Sequence, residues 1–128
     1  SNKVLKITKT AGSQTWAGAS QKLDSKLDFT NGTKVKIAVW SPKANSTILF
    51  KMEDSSSPKD GNGNPTVFVE VQATTTTSNA WEILTFDLTT ASSFNSSISY
   101  DRVIIFPDFG VSNSSELIYY FDDIKQSN

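Results

Sequence analysis

The segment Lys34-Val35-Lys36-Ile37-Ala38-Val39-Trp40-Ser41 alternates residue by residue, the mark of a strand with one apolar and one mixed face. Val35, Ile37 and Val39 share the face that belongs in a core, and Lys36, Ala38 and Trp40 share the other. A Trp on that second face calls for a cover, supplied either by another part of the chain or by a ligand. Similar short stretches rich in Val, Ile, Thr and aromatic residues are separated by clusters of Gly, Asn, Ser, Asp or Pro. They predict about eight strands, approximately Lys3–Ala11, Thr15–Leu23, Lys34–Ser41, Thr47–Asp54, Thr66–Thr74, Trp81–Leu88, Asp101–Phe106 and Glu116–Lys125. Asn31-Gly32, Asp60-Gly61 and Asn62-Gly63 supply turn residues that tolerate left-handed backbone, and the Ser-rich stretches Asp54–Ser57 and Ala91–Ser97 read as loops. Nothing is left over for a substantial helix. The pattern predicts an all-β, two-sheet antiparallel β-sandwich of jelly-roll type, in preference to an immunoglobulin sandwich with its Cys-Trp-Cys core.

Alternation also sorts the side chains. The expected inward set is Val35, Ile37 and Val39; Ile48, Phe50 and Met52; Val67, Val69 and Val71; Leu84, Phe86 and Leu88. The complementary set mixes aromatic and long polar side chains: Lys36 and Trp40; Leu49, Lys51 and Glu53; Phe68, Glu70 and Gln72; Ile83, Thr85 and Asp87. In the second strand Ala17, Ala19 and Leu23 are expected inward and Trp16, Gly18, Ser20 and Lys22 outward, where small residues beside an outward Trp leave room for something flat.

At 128 residues the chain fits one domain, residues 1–128, with a core that needs no staples. It has no cysteine and no histidine, which removes disulfides, thiolate metal sites, cysteine nucleophiles and the usual general base at neutral pH. A net charge of −1 with acids and bases dispersed along the chain gives no basic stripe for nucleic acid and no polybasic segment for a membrane surface. No apolar run approaches the roughly 20 residues of a membrane span.

For Trp16 and Trp40 the functional reading is a sugar-stacking platform, an indole offering a broad apolar face to the C–H face of a pyranose. The alternative is packing under a loop or at a sheet edge. Trp81 follows a loop, in a place suited to plugging one end of a sandwich. Glu53, Glu70 and Asp87 are imaginable as paired carboxylates for glycoside hydrolysis, but a solvated face or hydrogen bonds to sugar hydroxyls explains them more simply. Asp60-Gly61-Asn62-Gly63-Asn64 opens like a calcium loop yet lacks Gly at the sixth position and Glu at the twelfth, so it reads as a tight turn. Four Asn-X-Ser/Thr sequons, at Asn31, Asn45, Asn95 and Asn113, carry little weight in a chain this rich in Ser, Thr and Asn.

Five segments occur in a familiar order: Val4-Leu5-Lys6 with Thr15-Trp16-Ala17-Gly18; Val39-Trp40-Ser41-Pro42-Lys43-Ala44; Trp81-Glu82-Ile83-Leu84-Thr85-Phe86-Asp87; Phe106-Pro107-Asp108-Phe109-Gly110; and Tyr119-Tyr120-Phe121-Asp122-Asp123-Ile124. Together they resemble the β-jelly-roll, galactose-binding-domain-like carbohydrate-binding modules near families four, sixteen and twenty-two. The likeness is strongest to modules attached to laminarinases and surface glycan-binding proteins of marine Bacteroidetes, and it covers almost the whole chain. It implies a non-catalytic module that holds a polysaccharide for a linked enzyme or uptake system, with the β-1,3-glucan laminarin as leading ligand. Trp16, Lys36, Trp40, Lys51, Phe68, Glu70, Gln72 and Trp81 are the expected sugar-binding residues. It also implies a structural calcium held by Asp122 or Asp123, a secreted or cell-surface location, and a parent protein with further modules. The competing function is a spacer or adhesion domain that binds nothing and buries its Trp residues; a small lyase built on Tyr100, Arg102, Tyr119 and Tyr120 is a third reading.

Overall fold

A computed structural model describes residues 4–14, 18–22, 29, 32–112 and 114–127. Eight strands run in chain order: β1 (Leu5–Lys9), β2 (Ala19–Lys22), β3 (Lys34–Ser41), β4 (Thr47–Glu53), β5 (Phe68–Thr74), β6 (Ala80–Asp87), β7 (Arg102–Phe106) and β8 (Leu117–Ser127). They form two four-stranded sheets, ordered β1-β8-β3-β6 and β2-β7-β4-β5, with every pairing antiparallel. Apart from the β4–β5 hairpin, successive strands alternate between the sheets, and the architecture is the expected jelly-roll sandwich. Leu88, assigned by its periodicity to the sixth strand, instead opens a three-residue 3-10 helix, Leu88–Thr90. Asp87 ends the strand by capping that helix, its carboxylate accepting the Thr89 amide.

The core lies between the sheets. Val35, Ile37, Val39, Ile48, Phe50, Met52, Val69, Val71, Leu84, Phe86 and Leu88 are all buried there, as their alternation predicts, with Val67 partly buried against them. Ala19 also packs on the core, while Ala17 and Leu23 lie outside the described residues. At one end Phe29 meets Phe94 and Tyr100 edge-on, at ring-centroid distances of 5.1 and 5.9 Å.

The opposite end is closed by polar groups. Lys9 follows Ile7 on the inward side of β1 and is only 2 % exposed. Its ammonium donates to the carbonyls of Pro107 (3.2 Å) and Asp108 (2.6 Å) in the turn after β7. Burial lowers the Lys9 pKa and the nearby Asp108 carboxylate works against that shift. Asp108 is buried too. Its carboxylate accepts the Ser46 hydroxyl (3.1 Å) and pairs with Lys43 (2.8 Å), and the Ser46 hydroxyl shares a 2.8 Å hydrogen bond with Tyr119. A positive φ of 49° at Asp108 lets the chain reverse at this point.

Removing the Lys9 ammonium takes a donor from the buried Pro107 carbonyl, while the Asp108 carbonyl keeps the Val111 amide at 3.2 Å. Lys9→Met should therefore cost about 1.5–3 kcal/mol, the range for hydrogen bonds made by a charged group, with the Asp108 carboxylate still held by Lys43. Urea denaturation measures this; a loss under about 1 kcal/mol would show that the Lys9 contacts are energetically idle.

Candidate functional site

The outward residues of β3, β6 and β8 and those of β4, β5 and β7 lie on opposite outer surfaces of the sandwich. The expected binding set is accordingly divided. Lys51, Phe68, Glu70 and Gln72 share the outer face of the second sheet, whereas Lys36, Trp40 and Trp81 share the outer face of the first. Trp16 lies outside the described residues.

On the second sheet the register builds the surface in rows. Gln72, Leu49 and Phe106 lie side by side; Glu70, Lys51, Ile104 and Ser20 form the next row; Phe68, Glu53 and Arg102 form the third. Above the first two rows is a groove of about 660 Å³ lined by Lys51, Asn62, Asn64, Glu70, Phe106 and Phe109. Phe106 and Phe109 meet edge-on at 5.7 Å and supply its aromatic wall. The Phe109 amide donates to the Thr47 carbonyl at 2.8 Å, so the turn held by Lys9 carries this wall. Gly18 packs straight onto Phe106: a Cβ there would meet the Ile105 carbonyl at 2.5 Å and the Phe106 ring at 2.7 Å. The room expected beside Gly18 for a flat ligand is thus taken by Phe106.

The opposite wall is the loop that follows β4. Asp60 Oδ1 accepts the amides of Asn62 (2.8 Å) and Asn64 (3.0 Å), a compact turn that keeps both Asn side chains at the groove. The two backbone hydrogen bonds, that of Asn64 first, lower the Asp60 pKa. The tight-turn reading of this segment holds, and its Asn residues were missed as site residues. Lys51 is fixed from below: its ammonium lies 3.3 Å from Glu53 and 4.4 Å from the centre of the Phe68 ring. Glu53, outward by alternation, is nevertheless only 5 % exposed and also faces Arg102 at 3.8 Å.

Carboxylate and tyrosine positions bear on chemistry. Asp87 lies on the first sheet, away from Glu53 and Glu70, so the three imagined acids do not converge. Tyr100 and Tyr119 are buried in the core, Tyr120 lies on the outer face of the first sheet and Arg102 on that of the second, so the imagined lyase groups are likewise scattered.

On the first sheet Trp40 pairs with Trp81 on one side and with Tyr120 on the other, meeting the Tyr120 ring edge-on at 5.5 Å. Trp40 is half-buried. Trp81, whose place after a loop also suits a plug at one end of the sandwich, is 49 % exposed on the open sheet. Asp122 and Asp123 lie on β8, where Asp122 Oδ1 accepts the Asp123 amide at 2.8 Å. Among the described residues no three acidic side chains gather into a metal-binding group. Two carboxylates would leave most of a calcium's six to eight oxygen positions to backbone carbonyls and water.

No protein-family model and no curated protein matches the chain. Solved structures do match its fold. One described as the crystal structure of a family 30 carbohydrate-binding module aligns with a TM-score of 0.62 at 14 % identity, covering 98 % of this chain and 68 % of that one. A second, described as "CBM4 structure and function", aligns at 0.52 and 14 % identity over 95 % of this chain and 81 % of its own. A third, from work on promiscuous carbohydrate-binding modules of the β-sandwich superfamily, aligns at 0.50 and 13 % identity over 95 % and 53 %. The chain therefore has the jelly-roll β-sandwich fold found in carbohydrate-binding modules.

Proposed function

We propose that the chain is a non-catalytic carbohydrate-binding module that holds a neutral polysaccharide, a β-glucan such as laminarin, in the groove over the second sheet. The observation that carries this reading is the lining of the groove: an aromatic wall at Phe106 and Phe109 faces convergent polar groups on Lys51, Glu70, Asn62 and Asn64. Ligand sites combine apolar surface with a few placed hydrogen-bonding groups in this way. Lys51 and Glu70 bring opposite charges to the same row, so the groove favours neither an anionic nor a cationic sugar. Trp16, expected from alternation to share a face with Gly18 and Ser20, is the further stacking residue assigned to this site. Stacking of a nucleic-acid base on an aromatic ring contributes roughly 1–3 kcal/mol, and a sugar falls at or below that range. Two rings with several hydrogen bonds then give micromolar to millimolar affinity.

The spacer reading calls for full burial of both Trp16 and Trp40, and Trp40 is only half-buried. A linked enzyme or uptake protein, and a secreted or surface location, rest on the resemblance of the sequence motifs; tethering would raise the local concentration of glycan for such a partner. A structural calcium at Asp122 and Asp123 is a separate proposal, resting on that resemblance and on a chain whose side-chain donors are oxygens without His or Cys.

Affinity electrophoresis in laminarin tests the groove. The protein should be retarded, and Phe109→Ala, Glu70→Ala and Trp16→Ala should each weaken retardation about five-fold or more, with little dependence on salt. Retardation untouched by all three substitutions would place the glycan elsewhere, and a steep salt dependence would point to an acidic glycan instead.

For calcium the readout is the melting curve. A ligand bound only by the folded state stabilises it, so EDTA should lower Tm and Asp122→Ala should reproduce that loss. A Tm indifferent to EDTA contradicts the calcium proposal and leaves the groove untouched.

A further inference from the structure

We propose that the outer face of the first sheet is a second carbohydrate site, built for an anionic chain of uronate type. Its rows follow from the register. Lys6, Tyr120, Trp40 and Trp81 lie side by side across β1, β8, β3 and β6; Asp122, Ala38 and Ile83 form the next row; Lys125, Lys36 and Thr85 the third; Ser127, Lys34 and Asp87 the fourth. Trp81 is 49 % and Ile83 61 % exposed, so the aromatic row and the apolar step beside it are open to solvent. From Tyr120 to Trp81 is two strand spacings, ~10 Å, and from Trp40 to Lys36 is four residues of strand, ~14 Å. That footprint matches two or three sugar rings lying flat along β3.

The charge on this face identifies the ligand class. Lys36 and Lys125 are exposed and directly opposite each other, an arrangement that costs stability when nothing lies between like charges. A bulge in β8 produces it. Two residues, Asp123 and Ile124, oppose Ile37 alone, and Asp123 takes a positive φ of 51°. The bulge shifts the phase of the strand by one residue, so Lys125 takes the position opposite Lys36. Ile124 meanwhile joins Leu5, Ala19, Val103 and Ile105 in a small cleft between the sheets.

Two acids share the face. Asp87 binds the Thr89 amide and hydroxyl and lies beside Lys34, and Asp122 accepts the Asp123 amide. Four lysines, Lys6, Lys34, Lys36 and Lys125, share these rows with the two acids, so positive charge is in excess. The face therefore pairs a stacking row with an excess of positive charge about 14 Å along the strand. A polyuronate meets both demands, offering the C–H face of each ring to the indoles and a carboxylate to the lysines. Because this surface is on the far side of the sandwich from the groove, one molecule would hold two glycan chains at once.

Affinity electrophoresis in alginate, a polyuronate, at low and moderate ionic strength tests the proposal. The protein should be retarded at low salt. Trp81→Ala should weaken that retardation at least five-fold, as should the double variant Lys36→Gln/Lys125→Gln, which should also flatten the salt dependence. Phe109→Ala should leave it unchanged, with melting curves confirming that each variant folds. No retardation at low salt overturns the proposal. So does retardation that survives Trp81→Ala while failing in the lysine variant, which would mean diffuse charge attraction without a site. Loss in Phe109→Ala would move the acidic chain into the groove and also overturn it.

Discussion

The hydrogen bonds from the buried Lys9 ammonium to the Pro107 and Asp108 carbonyls set the position of the turn on which the groove depends. That turn carries Phe109, whose amide is pinned to Thr47 at the start of β4, and it follows directly from Phe106 at the end of β7. A charge placed between the sheets carries a large desolvation cost that only close, oriented acceptors offset. The arrangement is consequently specific. Lys43 pairs with the Asp108 carboxylate, Lys9 holds its carbonyl, and the Ser46 hydroxyl links that carboxylate to Tyr119, so the aromatic wall of the groove has little freedom to shift. Binding geometry is thereby coupled to the stability of one end of the sandwich.

A sandwich turns two inner faces to one core and leaves two outer faces that never meet. Strand period decides whether a side chain is in or out. Which of the two outer faces it joins is decided by strand order. In this chain the order gives the faces different characters. On the second sheet the loop after β4 and the turn after β7 shape a groove over opposite charges, and Leu49 and Glu53 on that face are buried. The first sheet is open, aromatic at one end and basic at the other.

This division explains how much was legible in the sequence. The core could be read because Val35, Ile37, Ile48, Phe50, Val69 and Phe86 obey a period that local sequence carries. Lys51, Phe68, Glu70 and Gln72 were legible as outward for the same reason, and the structure does bring them onto one face. Grouping Trp40 and Trp81 with them failed because face membership depends on the pairing of strands far apart in sequence. Asn62, Asn64, Phe106 and Phe109 were missed because turns and long-range packing, not periodicity, bring them to the groove. The only sequence signals were the Phe-Pro-Asp-Phe-Gly motif and an Asn-Gly-Asn turn. Lys36 and Lys125 meet through a bulge, and a one-residue phase shift leaves no trace in an alternating pattern beyond the Asp122-Asp123 pair at its origin. Lys9 carried a readable signal, a charge in phase with Ile7 on the inward side of β1.

The most direct measurement is an amide chemical-shift titration of the folded protein with a laminarin oligosaccharide. Binding in the groove requires shifts at Lys51, Asn62, Asn64, Glu70 and Phe109, with Lys36, Trp40 and Trp81 unmoved. Shifts confined to the strands around Trp40 and Trp81, or none at saturating oligosaccharide, would contradict the assignment of the groove as the glucan site.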